Sequence, residues 1–161
     1  MEASVLSKSN KVVVFLAGNE EYALPIETVL SIEKPDAVTV IPHFPEFVCG
    51  MAKIRSELMP LIGMDKVLYP EKKFLEMPEQ RWISIKTKVM TIGLVVQAAR
   101  EILDLTDVPI KQIGLLGYEK TEYMQGVANI GNRLITIIDP QKFVSSLEGI
   151  KELQEYMYSH Q

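Results

Sequence analysis

The chain has 161 residues, enough for one compact domain or for two small units that share a core. Apolar residues make up 47% and charged residues 24%, and 21 acidic side chains against 17 basic ones leave a net charge of −4. That balance argues against nucleic-acid binding, which needs clustered Lys and Arg to neutralise phosphates.

The opening ten residues are polar. Val12 to Leu16 is a short β-branched apolar run, Gly18-Asn19-Glu20-Glu21 supplies turn residues, and Tyr22-Ala23-Leu24 resumes the apolar pattern, which predicts a β-hairpin. Pro25 occupies a favoured first helical position, and Ile26, Val29 and Leu30 recur at i, i+3, i+4. This spacing predicts one helical turn leading into a strand through Ile32; Ile26 and Leu30 read as core, and Val29 is left open between an exposed apolar contact and core packing. Pro35, Pro42 and Pro45 break the next stretch and leave residues 38–41 as an edge strand.

Residues 47–68, FVCGMAKIRSELMPLIGMDKVL, and residues 123–144, YMQGVANIGNRLITIIDPQKFV, align without gaps at an offset of 76. They match at Gly50/Gly126, Ala52/Ala128, Ile54/Ile130, Leu58/Leu134, Ile62/Ile138 and Lys66/Lys142. A second register, at an offset of 70, lays Tyr22–Glu27 on Ile92–Gln97 and Ile32 on Ile102, with Trp82-Ile83-Ser84-Ile85 in the place of the first strand. The offset grows by six, so the extra residues belong between Ile102 and Tyr123, in the stretch Thr106 to Glu122. The chain is therefore a duplication.

Residues 70–81 are polar, carry two prolines and read as the joint between the halves. Each half holds about five short strands with tight turns, and closing such a sheet into a small barrel removes its exposed edges. The expected fold is all-β with short helices. It comprises two five-stranded barrels, residues 12–69 and 82–144, within one domain over 1–161. Asp139-Pro140 reads as an N-cap with proline at the first helical position. Leu147, Ile150, Leu153 and Met157 continue a helical stripe interrupted at Gly149, so a C-terminal helix over 140–158 should pack back on a barrel.

A catalytic set is not legible. His43 and His160 with Cys49 have no zinc-ligand spacing, and no nucleophile elbow, phosphate loop or dinucleotide fingerprint occurs. The pairs Asp104/Asp107 and Glu119/Glu122 have ordinary surface density. No cofactor or metal is implied, and the expectation is a protein that binds rather than catalyses. Cys49, in the run Phe47-Val48-Cys49, reads as a buried small hydrophobe, and a single cysteine excludes an intrachain disulfide. No apolar run approaches the ~20 residues that span a bilayer, and Met1-Glu2-Ala3-Ser4 lacks the regions of a secretion signal. A cytoplasmic protein without membrane insertion is expected.

Gly50-Met51-Ala52-Lys53-Ile54-Arg55, followed by Leu58-Met59-Pro60-Leu61-Ile62, resembles the signature of the CheW family of chemotaxis coupling proteins. Glu20–Ile26, Ile92–Val96 with Ile102–Leu105, and Tyr123–Ala128 are similar to three other family segments, in the family's order, so the resemblance covers residues 12–145. It implies two SH3-like β-barrel subdomains. It also implies a non-enzymatic adaptor that links the cytoplasmic tips of methyl-accepting chemoreceptors to the regulatory domain of the CheA histidine kinase, within receptor arrays.

By the same carry-over, Arg55, Met51, Gly50 and Thr39 fall on the receptor side, and Val29, Ile26 and Ser31 on the kinase side. Each has a plainer alternative. Arg55 could be an internally paired arginine shaping a turn, Gly50 a bulge, Met51, Ile26 and Val29 core packing, and Thr39 a solvated edge. The sequence departs from the family pattern at Ser31, Lys53, Ser56, Gly63 and Gln97. Two other functions stay open: an adaptor of a non-flagellar chemosensory pathway, and a small-ligand sensor using the cleft between the barrels.

Overall fold

The computed structural model describes residues 9–72, 77–112 and 122–160. Strands β1 (Lys11–Ala17) and β2 (Glu20–Pro25) form the predicted hairpin, and a 3₁₀ turn at Ile26–Thr28 leads into β3 (Val29–Glu33). Next come β4 (Val48–Ile54), β5 (Glu57–Gly63) and helix α1 (Met64–Leu68). The second half runs β6 (Arg81–Lys86), β7 (Thr91–Val96), β8 (Ala98–Asp104), β9 (Ile110–Gln112), β10 (Met124–Ile130) and β11 (Arg133–Ile138). It ends in helices α2 (Pro140–Ser145) and α3 (Ile150–Ser159). The stretch Thr106 to Glu122, where the extra residues belong, lies partly outside the described residues.

The strands make a six-stranded sheet, β8-β1-β2-β11-β10-β9, and a five-stranded sheet, β3-β6-β7-β5-β4. Neither follows the linear halves. The hairpin β1–β2 sits inside the sheet built from the second half, and β6–β7 sits inside the sheet built from the first. The contiguous division at residues 12–69 and 82–144 is thus replaced by an exchange of hairpins.

Both sequence offsets are obeyed register by register. Leu61 pairs with Gly93 in the parallel contact of β5 and β7, and its counterpart, Ile137 with Ala23, is made by β11 and β2. The antiparallel pair β4–β5 shifts register between Val48 and Gly50, and β10–β11 shifts between Met124 and Gly126, 76 residues on. A bulge at Leu30 in β3 recurs 70 residues on at Arg100 in β8.

The exchange explains why β1 is a continuous apolar run rather than an alternating one. Both of its faces are covered. Val12 and Val14 join Ala23, Ala128, Ile135 and Ile137 inside the six-stranded sheet. Val13 and Phe15 join Leu24, Ile62, Ile83, Ile85 and Leu94 in a core shared by the two sheets and roofed by Phe143, Leu153 and Met157. A third cluster, with Trp82, Leu61, Met59 and Ile54, fills the five-stranded sheet.

The hairpin tips are held by segments that follow the other sheet. Tyr69, just past α1, donates or accepts a 2.7 Å bond with the Tyr22 hydroxyl, and its ring fills the space where a Gly18 Cβ would stand. Burial, and then this bond, push the Tyr22 hydroxyl well above its ordinary titration range. At the other tip, Gln141 of α2 accepts from the Lys88 N–H at 2.9 Å.

Three expectations change. The barrels are not closed by a ladder among the described residues: β3 and β4 remain the edges of one sheet, β8 and β9 of the other. The edge strand over 38–41 reduces to a single bridge, Thr39 to Met51, since Pro35 and Pro42 confine the segment able to pair. The helix over 140–158 is two helices. Asp139 caps α2 by accepting from the Lys142 N–H, whereas Gly149, at φ +77°, turns the chain into α3.

One end of the six-stranded sheet's inner face is closed by charge. Arg133 donates two hydrogen bonds to Glu21, at 2.9 and 2.8 Å, and a third to Glu101 at 2.8 Å. The Arg133 bond holds the Glu21 carboxyl below its ordinary value of about 4.5. A depressed carboxylate stabilises the fold above its unfolded pKa and loses that contribution as pH falls through the folded one. Arg133→Ala should therefore cost about 1 kcal/mol at pH 7, a figure kept low because the group is partly exposed. Chemical denaturation should find that difference shrinking below pH 4.5. A cost independent of pH would assign the loss to packing instead.

Candidate functional site

The hairpin β4–β5 turns through two residues, Arg55 at φ +52° and Ser56 at φ +72°. Two successive left-handed residues between Ile54 and Glu57 make the tight turn that matches strand twist, and Asn-Gly is its preferred sequence. Non-glycine residues there are held at a cost of about 1 kcal/mol each. At Ser56, one of the departures from the family pattern, the backbone keeps a conformation that glycine favours.

An ion pair secures this turn. Arg55 Nε donates to Glu33 Oε2 at 2.7 Å, with the arginine side chain 74% exposed and the glutamate 30%. Arg55 follows β4 and Glu33 ends β3, so the pair ties together the two open edges of the five-stranded sheet. The Glu33 carboxyl lies below the usual carboxylate range, first through the Arg55 bond and then through Ser31. Arg55 thus shapes a turn and is internally paired, and its side chain is still exposed to solvent.

Gly50 places a second segment beside this edge. Its φ of +146° suits glycine alone, and a Cβ there would lie 2.5 Å from the Thr39 carbonyl oxygen. That clearance lets Thr39 donate to the Met51 carbonyl at 2.9 Å and accept from the Met51 N–H at 2.7 Å. Thr39 is exposed, between Val38 and Val40 at 41% and 74% exposure. Met51 itself is buried in the shared core. Of the four residues expected on the receptor side, the structure therefore brings Arg55 and Thr39 to the surface, makes Gly50 the spacer and gives Met51 to packing.

The kinase-side set is rearranged. Ile26 and Val29 are half-buried against the shared core. Ser31 is buried, its hydroxyl 2.7 Å from that of Ser84. Leu30, read as core, is 51% exposed, and Ile32 is 42% exposed. The reason is the register: β3 begins at Val29, so period 2 replaces the helical period, and the bulge turns Leu30 outward. The duplication carried a signal for this, because the offset of 70 places Leu30 on Arg100, a residue unsuited to a core.

Ser31 and Gln97, two more departures, have structural partners. Ser31 bonds across to Ser84, and Gln97 bonds the β1–β2 turn at Asn19 in both directions, at 2.9 and 2.7 Å. Gly63 occupies the position 76 residues before Asp139 and leaves α1 without the side-chain cap that α2 has. The Cys49 thiol is half-buried, and burial raises it above its ordinary range.

A cleft of about 720 Å³ opens between the helices α1 and α2. Phe47 and Tyr123 line it, as do Lys66 and Lys142, two pairs related by the offset of 76, so both halves contribute equivalent residues to it. Glu122 and Glu148 offset the two lysines. Among the described residues no group of three or more His, Cys, Asp or Glu could hold a metal ion, and no helix is long and apolar enough to cross a membrane.

The chemotaxis protein CheW of Klebsiella aerogenes is 29% identical over 136 residues, covering 84% of this chain and 81% of the relative. That of Bacillus subtilis is 27% identical over 136 residues, covering 83% and 86%. The crystal structure of the scaffolding protein TtCheW from Thermoanaerobacter tengcongensis superposes with a TM-score of 0.73 at 26% identity, over 88% of this chain and 92% of that one. The family model described as the CheW-like domain matches residues 11–148, which takes in both exchanged hairpins, the Arg55 turn and α2. The chain belongs to the family of CheW-like domains.

Proposed function

We propose that this protein is a non-enzymatic adaptor of chemosensory signalling. It couples the cytoplasmic tips of methyl-accepting chemoreceptors to the regulatory domain of a CheA-type histidine kinase, in the cytoplasm at receptor arrays. The observation that carries the reading is the family match over residues 11–148, joined to a fold shared with a CheW scaffold protein.

The receptor contact is assigned to the edge formed by Arg55, Thr39 and the spacer Gly50. An exposed guanidinium held in place by an internal carboxylate is pre-organised for a partner. Glu33 acts there as a positioning residue. The kinase contact is assigned to the start of β3, where Leu30 supplies the exposed apolar side chain and Ile26 and Val29 support it from below. Ser31, buried against Ser84, sets the strand rather than touching a partner.

Pull-down and titration against a cognate kinase regulatory domain and a receptor-tip fragment test the assignment. Leu30→Asp should weaken kinase binding at least about tenfold and leave receptor binding in place, and Arg55→Glu should do the reverse. Both side chains are exposed, so the melting temperature of each variant should stay within about 3 °C of the parent. Failure to bind any cognate kinase fragment would sink the adaptor reading. Loss of both partners in either variant would sink only the division of faces.

A further inference from the structure

Helix α3 starts at Ile150, beyond the last residue of the family match at 148. Ten residues are too few for a stable isolated helix, so its docking must come from packing. Leu153 and Met157 are buried in the shared core, and Gln154 Nε2 donates to the Val89 carbonyl at 2.8 Å in the β6–β7 turn. Tyr156, half-buried against the same core, also reaches the segment before β4. The Tyr156 ring meets Phe44 edge-on, with centroids 5.7 Å apart and planes at 79°, while His160 stacks on it at 4.1 Å.

Phe44 belongs to the segment 34–47, whose three prolines remove backbone donors. The segment also holds His43 at φ +70°. Its other ties are the Thr39–Met51 bridge, buried Ile41, the packing of Phe44 and Phe47 on the shared core, and the bonds from Val48 N–H to Pro45 O and from Gly63 N–H to Phe47 O. Next to Phe44, Pro45 faces Gly149, where a Cβ would lie 3.9 Å from Pro45 Cδ. Helix α3 thus covers the segment at both Phe44 and Pro45, a few residues from the Thr39 bridge.

We propose that α3 is a strap that fixes the 34–47 segment, and that Tyr156, through Phe44, is the positioning residue that keeps Thr39 on the β4 edge. The consequence for receptor binding rests on the assignment of Thr39 to the receptor-facing edge. The position of the segment does not, and it is measured separately.

The test is amide hydrogen exchange on the full chain. The Thr39 N–H reports the segment, and the Ile83 N–H in the shared core reports global stability. Tyr156→Ala should speed Thr39 exchange at least about tenfold relative to Ile83, Tyr156→Phe should keep the parental ratio, and Phe44→Leu should reproduce the Tyr156→Ala ratio. An unchanged ratio in both Tyr156→Ala and Phe44→Leu overturns the strap, even if both variants are less stable. In the same samples, receptor-fragment affinity should fall about three- to tenfold in Tyr156→Ala, with kinase-fragment affinity kept. A raised exchange ratio with unaltered receptor affinity upholds the strap and removes Thr39 from the receptor edge.

Discussion

Produced separately, residues 1–77 and 78–161 should each lack a cooperative thermal transition, and mixing them should restore one fold with both sheets. The first fragment keeps two hairpins, β1–β2 and β4–β5, but β3 loses its neighbour β6 and β5 loses its neighbour β7. The second keeps β6–β7 and the set β9-β10-β11, while β8 loses β1 and β11 loses β2. Isolated two-stranded hairpins are marginal in water. The shared core is divided as well, since Phe15 and Leu24 come from one fragment and Ile83, Ile85 and Leu94 from the other. Each such buried side chain contributes about 1.5–3 kcal/mol, so losing even these few from either fragment removes an amount comparable with the 5–15 kcal/mol that typically stabilises a domain. Near-ultraviolet circular dichroism of each fragment and of the mixture reads the outcome. A cooperative melt from either fragment alone would show a contiguous barrel forming within one half, which the exchange of hairpins forbids.

Gly50→Ala should cost about 3 kcal/mol and Gly126→Ala about 1 kcal/mol, although the two glycines are equivalent by sequence. Both lie at a register shift. Only Gly50 has a positive φ, +146°, and a Cβ there would meet backbone, the Thr39 carbonyl oxygen at 2.5 Å. A Cβ at Gly126 would first meet the Ile110 Cγ2 at 2.9 Å, a side-chain atom, with the Lys111 oxygen behind it at 3.1 Å. Urea titrations of the two variants against the parent measure the difference. Equal costs would mean that the bulge, and not the close approach of Thr39, fixes glycine at this position. If the larger cost holds, Gly50→Ala should also free the Thr39 bridge and with it the edge proposed to meet the receptor.

Much of this architecture is legible in the amino-acid sequence. Hairpin β1–β2 followed from Gly18-Asn19 between apolar runs, and the α2 cap followed from Asp139-Pro140. Both are local devices whose chemistry is complete within a few residues. The reading of Leu30 went wrong because three apolar residues at i, i+3, i+4 satisfy a helical period as readily as the entry to a bulged strand. Met51 was ambiguous for a related reason: on an edge strand a side chain's surroundings depend on what covers that face, and here that face belongs to the shared core. The pairing of Arg55 with Glu33 spans 22 residues of sequence and had no local signal.

The sequence by itself determined that the fold is a duplication, that its strands are short and apolar, and at which offsets the halves correspond. Those properties reside in residue identity and spacing, and each register shift later fell where the offsets put it. Only the tertiary structure decided which half completes which sheet. A strand edge bonds to any backbone that reaches it in register, so β1–β2 and β6–β7 could satisfy either sheet locally. The exchange is fixed by what lies on their second faces: a shared core that neither half can fill alone, and the Tyr69 and Gln141 contacts that hold each hairpin tip from across the fold.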